Sequence, residues 1–131
     1  MADQERENTV LLVDDDRPIR EGLRRFFDGT SYRVAGEAAD GMAAVALCRK
    51  LRPDLVLLDV KMPLLNGIDA ARLIREERSA RCIVMLTSFD DQSCVEQALA
   101  AGAAGYLTKP LRAEDILPTL ELCLSHTKEY Y

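Results

Sequence analysis

Apolar residues along the 131-residue chain fall into two alternating patterns. Short uninterrupted runs, such as Leu55-Val56-Leu57-Leu58 and Cys82 to Leu86, read as parallel strands buried on both faces. Between them, apolar positions recur three and four residues apart, the spacing of one helix face. Five such strand–helix pairs, joined by short segments rich in Gly, Asp and Pro, predict an α/β fold with a doubly wound parallel sheet. Right-handed crossovers, with the order reversing after the first unit, give this (βα)5 chain the flavodoxin-like strand order 2-1-3-4-5.

Taken in turn, the first strand is expected over Thr9 to Val13, followed by a helix capped by Asp16 with Pro18 in its first turn. That helix carries Ile19, Leu23, Phe26 and Phe27 on one face and ends at Gly29. Tyr32 to Gly36 alternates enough for an edge strand. Asp40 then caps a helix that turns Ala44, Leu47, Cys48 and Leu51 inward and stops before Pro53. Asn66-Gly67 opens a third helix to about Arg78, with Asp69, Arg72, Arg75, Glu76 and Glu77 on its solvated face. The fourth helix, Asp91 to Ala101, buries Val95, Ala98 and Leu99, and Gly102 caps it. The fifth strand, Gly105 to Thr108, leads through Lys109-Pro110 into a last helix from about Ala113 to Lys128. Ile116, Leu117, Leu120 and Leu124 form its inner face, with Leu122 off it. Pro118 is accommodated without loss if that helix starts near Asp115 and otherwise predicts a kink.

Composition narrows the classes. A chain of this length folds as one domain without needing disulfides or metal staples. No apolar stretch approaches the ~20 residues that span a bilayer, and the acidic start lacks the apolar centre of a signal peptide, so a cytoplasmic location and no membrane partner are expected. A net charge of -5 opposes binding to a phosphate backbone. The four cysteines, Cys48, Cys82, Cys94 and Cys123, are widely spaced in apolar surroundings and read as small hydrophobes rather than metal or redox sites. His126, the only histidine, lies in the polar tail and is assigned no chemistry.

The chemistry gathers where strands end. Asp14 and Asp15 follow the first strand, Asp59 the third, Thr87 the fourth and Lys109 the fifth. Open α/β sheets build their sites on that edge. Alone, each residue has an ordinary reading as a turn, a cap or a solvent-facing joint; together and in order they converge. Crowded carboxylates raise one another's pKa unless a cation intervenes. Oxygen-only donors with no Cys or His nearby select Mg²⁺ or Mn²⁺. With Lys109 and the Thr87 hydroxyl available to phosphoryl oxygens, the set describes phosphoryl transfer to a carboxylate, and Asp59 is the candidate nucleophile.

Four stretches carry a family resemblance: Val10 to Asp16, Pro53 to Pro63 with Asn66-Gly67, Leu86-Thr87, and Gly102 to Pro110. They resemble the receiver domain of two-component response regulators, typified by the small chemotaxis regulator. The resemblance implies that Asp59 accepts a phosphoryl group from a sensor histidine kinase or a phosphotransfer protein, and that the chain is a switch and not a turnover enzyme. It also implies Asp15 and Asp59 as direct metal ligands, Asp14 as a ligand through water, and the backbone carbonyl of Lys61 as a further one. Thr87 and Tyr106 would be the switch pair, acting on the surface of the last two strands and helices, and the Lys109-Pro110 bond would be cis. Lys61 stands where such domains tune dephosphorylation, and Asn66 replaces a more usual aspartate yet should still cap the helix. The resemblance allows a homodimer on activation.

A receiver domain is thus expected over residues 9–128, with a flexible tail over 1–8 and a C-terminal tail over 129–131. The stretch Asp115 to Leu122 resembles receivers followed by an RNA-binding antitermination (ANTAR) output domain, so an RNA- or DNA-binding output domain is expected beyond Tyr131. Two rivals share the fold or the nucleophile. A haloacid-dehalogenase-like phosphohydrolase needs a second aspartate two residues after the first, where this chain has Lys61. A flavin module needs donors after the first strand, where Asp14-Asp15-Asp16 would repel the flavin phosphate.

Overall fold

A computed structural model describes residues 7–88 and 92–127. The chain alternates β1 (Asn8–Val13), α1 (Arg17–Phe27), β2 (Tyr32–Ala38), α2 (Gly41–Leu51), β3 (Leu55–Asp59), α3 (Gly67–Glu77), β4 (Cys82–Ser88), α4 (Gln92–Ala100), β5 (Gly105–Lys109) and α5 (Ala113–Thr127). All four strand pairings are parallel, and the sheet order is β2-β1-β3-β4-β5. This is the flavodoxin-like order that the hydrophobic pattern predicts. No described helix is long and apolar enough to cross a membrane.

Every residue of β3 is buried, as expected of a central strand packed on both faces. Its side chains divide by parity. Leu55 and Leu57 join Val10, Leu12, Leu23, Phe27, Ile116 and Leu120 beneath α1 and α5. Val56 and Leu58 join Leu11, Val13, Ala44, Cys48, Ile74 and Ala98 beneath α2, α3 and α4. Two cores thus clamp the sheet and fix the height at which each strand ends.

Several boundaries and faces differ from expectation. β1 starts at Asn8, so that residue belongs to the sheet and not to a tail. β2 continues past Gly36 to Ala38, because a bulge between Val10 and Leu11 lets it stay paired with β1. Leu99 is 44% exposed and Leu51 37% exposed. In α4 the inward stripe runs through Val95 and Ala98 and on to Ala101 just past the helix, and Leu99 lies past its edge. Leu51 is the last residue of α2 and sits at the rim. Asp16 occupies the cap position of α1 but its side chain makes no capping bond; its own N–H donates to Asp14 Oδ1 at 2.9 Å. Asp40 and Asn66 do cap, accepting from the N–H groups of Ala43 and Asp69. α5 begins at Ala113, which excludes a start near Asp115, and the helix continues through Pro118. Residues 1–6 of the expected N-terminal tail, the expected C-terminal tail over 129–131, the expected helix end at Lys128 and the expected helix start at Asp91 lie outside the described residues.

At the opposite edge from the candidate site, Asp54 ties β3 to β1. Its Oδ2 accepts from Thr9 N at 2.8 Å and Thr9 Oγ1 at 3.2 Å, and Asp54 N donates to Thr9 Oγ1 at 3.1 Å. Thr9→Val strands the Asp54 N–H in a buried setting, and urea unfolding should show a loss of about 1–3 kcal/mol.

Candidate functional site at the carboxyl edge of the sheet

Because β1 and β3 are neighbours in register, with Val13 opposite Leu58, the residues that follow them emerge side by side. One carboxylate oxygen from each of Asp14, Asp15 and Asp59 lies within 4.8 Å of the others. Asp14 is fully buried and Asp59 nearly so, while Asp15 is exposed. Lys109, at the end of β5, reaches across: its Nζ lies 2.9 Å from Asp14 Oδ2 and 3.3 Å from Asp59 Oδ1. Asp14 Oδ2 meets no donor in good hydrogen-bonding alignment, so its contact with the ammonium is chiefly ionic.

Three carboxylates against one ammonium leave excess negative charge at a pocket where Asp14 and Asp59 are buried and Asp15 meets solvent. Burial and the Asp14 charge push the Asp59 carboxyl up to about 6, against the opposing pull of Lys109 and the Lys61 backbone N–H. For Lys109, burial favours the neutral amine, but the two carboxylates win and raise its pKa. Lys109→Met should therefore move the Asp59 carboxyl still higher, read by a carboxyl-carbon NMR titration.

Thr87, at the end of β4, is 2% exposed and its hydroxyl has no hydrogen-bond partner. Together with Asp59, Val60, Lys61, Ser88 and Lys109 it lines a small cavity of about 120 Å³. Tyr106 on β5 is 42% exposed, and the Lys109-Pro110 peptide is cis. The loop after β3 is held tightly. Val60 N donates to Leu86 O, and Gly67 N to Val60 O at 2.8 Å. A β-carbon on Gly67 would stand 1.9 Å from the Asp59 carbonyl oxygen, and one on Gly41 1.8 Å from that of Leu65. Both glycines are required by close backbone approach.

Asp14, Asp15 and Asp59 thus meet in one cluster, and Asp59, Lys61, Thr87 and Lys109 line the adjoining cavity, whereas Tyr106 belongs to neither. Arg20 and Glu37, which lie behind Asp14, carry no motif by which sequence reasoning could have found them. Their proximity depends on the register of β2.

The donor set fits a hard divalent cation such as Mg²⁺. Its three carboxylates supply oxygen donors only, one carboxylate oxygen is buried without an aligned donor, and the local charge needs a cation.

Fold and site together define a doubly wound α/β module with an acidic pocket at the carboxyl edge of its sheet, and the chain belongs to the response regulator receiver domain family, whose profile matches residues 10–121. It is a receiver of two-component signalling. Among relatives, it is 44% identical over 120 residues to the transcriptional regulatory protein PdtaR of Mycobacterium tuberculosis (strain ATCC 25618 / H37Rv), covering 92% of this chain and 58% of that protein. The chain therefore spans little more than half the length of that relative. The signal receiver domain of NarL from Mycobacterium tuberculosis superposes with a TM-score of 0.84 at 34% identity, covering 91% of this chain and 97% of that one. For the chemotaxis response regulator CheY4 of Vibrio cholerae the TM-score is 0.82 at 32% identity, covering 90% and 99%.

Proposed function

We propose that this receiver works as a Mg²⁺-dependent phosphoacceptor switch, with Asp59 taking a phosphoryl group from a phosphohistidine on a sensor kinase or phosphotransfer protein in the cytoplasm. The observation that carries the reading is the buried Asp59 carboxylate, set against Asp14 and Asp15 with the Lys109 ammonium between strands. One Asp59 oxygen attacks phosphorus, the P–N bond breaks, and its electron pair leaves with the imidazole; an acyl phosphate remains on Asp59. A bound divalent ion would neutralise the developing charge on the phosphoryl oxygens. Asp15 and Asp59 would hold it directly, Asp14 through water, with the Lys61 carbonyl as a further ligand. Lys109 would turn from the carboxylates to a phosphoryl oxygen, as a point charge on a flexible stem can.

Thr87 connects chemistry to signal. Its buried, unpartnered hydroxyl is available to donate to a phosphoryl oxygen, and a turn of that side chain would free space toward which the Tyr106 ring could move. The α4-β5-α5 surface would change with it and control an output domain or a partner. An RNA- or DNA-binding output domain, and a homodimer on activation, belong to this reading.

Incubation with acetyl phosphate and Mg²⁺ tests it by intact mass. The wild-type chain is expected to gain one phosphoryl group, and neither the EDTA-treated protein nor Asp59→Asn should do so. Uptake that survives in Asp59→Asn would overturn the assignment. Sustained turnover of phosphomonoesters would instead favour the phosphohydrolase.

A further inference from the structure

Arg20 approaches the acidic pocket from behind. It lies on the first turns of α1 with its side chain only 16% exposed. Nη1 donates to the carbonyl oxygen of Asp14 at 2.7 Å, and Nε donates to Glu37 Oε1 at 3.0 Å. The other Glu37 oxygen accepts from Arg24 Nε at 2.6 Å. Burial works against the Glu37 charge, yet hydrogen bonds from Arg24 and Arg20 hold its carboxyl below the usual range.

Glu37 reaches α1 only because β2 is irregular. Before the bulge, Val34 pairs with Val10, whose side chain faces α1 and α5. Strict alternation from Val34 would place Glu37 on the opposite face, toward α2. The register shift between Val10 and Leu11 instead pairs Gly36 with Leu11 and Glu37 with Leu12, and Leu12 faces α1. One extra residue in β2 therefore re-aims a carboxylate at Arg20, a recurrent use of bulges beside active sites.

We propose that Arg20, anchored by Glu37, is a positioning residue for the phosphoryl-accepting pocket: it holds the Asp14–Asp15 peptide so that both carboxylates face the ion. This rests on the phosphoacceptor reading above. The carbonyl that Arg20 grips belongs to the peptide bond between the two aspartates, so its orientation sets where the Asp15 backbone, and with it the side chain, begins. Outer-shell groups of this kind tune metal affinity through the ligands they orient. An ion pair serving stability alone would leave that affinity untouched.

Titration of the whole chain with Mg²⁺, followed by amide and carboxyl NMR shifts, separates the two. Arg20→Met should weaken Mg²⁺ binding by about tenfold or more, and Arg20→Lys, which reaches only one acceptor, should recover part of the loss. Glu37→Gln should shift affinity in the same direction by less. Arg49→Met breaks an ion pair with Glu77 that joins α2 to α3, remote from the pocket, and should leave affinity unchanged. Initial phosphorylation by acetyl phosphate should slow in Arg20→Met at low Mg²⁺ and return to the wild-type rate at saturation. If Arg20→Met does not fold, Glu37→Gln decides by the same titration. Wild-type uptake of Mg²⁺ with unchanged affinity in the folded variants would overturn the clamp alone. A wild-type chain that takes up no Mg²⁺ would overturn the phosphoacceptor reading and the clamp with it.

Discussion

Asp59→Asn is expected to make the metal-free protein more stable at neutral pH, even though it removes the residue on which the proposed function depends. The native Asp59 carboxyl titrates at about 6, whereas an ordinary one titrates at 3.8. Below about pH 4 the native and unfolded chains both hold the proton, and the crowding costs nothing. As pH rises through that window, the unfolded chain ionises first while the native one keeps its proton, so wild-type stability falls until the native group also ionises, near 6. Above it the full penalty applies. At about 1.36 kcal/mol per pH unit, the gain of Asp59→Asn over wild type should grow by up to about 3 kcal/mol between about pH 4 and pH 7.5. Urea unfolding of both proteins in EDTA checks this. A pH-independent difference would show that burial and the Asp14 charge do not raise the Asp59 carboxyl. Added Mg²⁺ should then stabilise the wild type more than the variant, because an ion that binds only the native state stabilises it by mass action.

Gly67→Ala should be among the most damaging single-methyl changes in the chain. The added carbon would stand 1.9 Å from the Asp59 carbonyl oxygen and 2.8 Å from Val60 Cα, both backbone atoms with no rotamer to change. Relief requires α3 to withdraw from the loop after β3, which breaks the Gly67 N–H bond to Val60. Overpacking of this kind costs about 1–3 kcal/mol where side chains can adjust, and here the upper end or beyond is expected. The loss should extend to Mg²⁺ affinity, because the clash falls on the backbone of Asp59, the last residue of β3, and the displaced loop carries Lys61. Leu120→Ala provides the comparison. That side chain, on the inner face of α5, is fully buried against the sheet, and its loss should cost about 2–5 kcal/mol while leaving Mg²⁺ affinity near the wild-type value. Equal affinity in Gly67→Ala and Leu120→Ala would mean that the loop after β3 does not set the pocket.

Much of this molecule is legible along the chain because its signals are local. Uninterrupted apolar runs such as Leu55 to Leu58, short and bounded by Pro53 and Pro63, read as doubly covered strands rather than buried helices, and alternation with amphipathic helices leaves few topologies. Asp14, Asp59, Thr87 and Lys109 could be assigned to one edge because each directly follows or ends such a run. Leu99 failed for the opposite reason. Its spacing from Val95 permits burial, but how wide a stripe α4 buries depends on how the helix lies across β4, which spacing does not encode.

The amino-acid sequence by itself determined the strands, their parallel order, and which residue types stand where each strand ends, since hydrophobic burial and chain connectivity are written in local pattern. Only the tertiary structure decided that Lys109 bridges Asp14 and Asp59, that Asp59 is driven up toward neutral pH, and that a single extra residue in β2 turns Glu37 toward Arg20. Those outcomes rest on distances of a few ångströms between residues remote in sequence, and on a two-residue side-chain period that one bulge inverts.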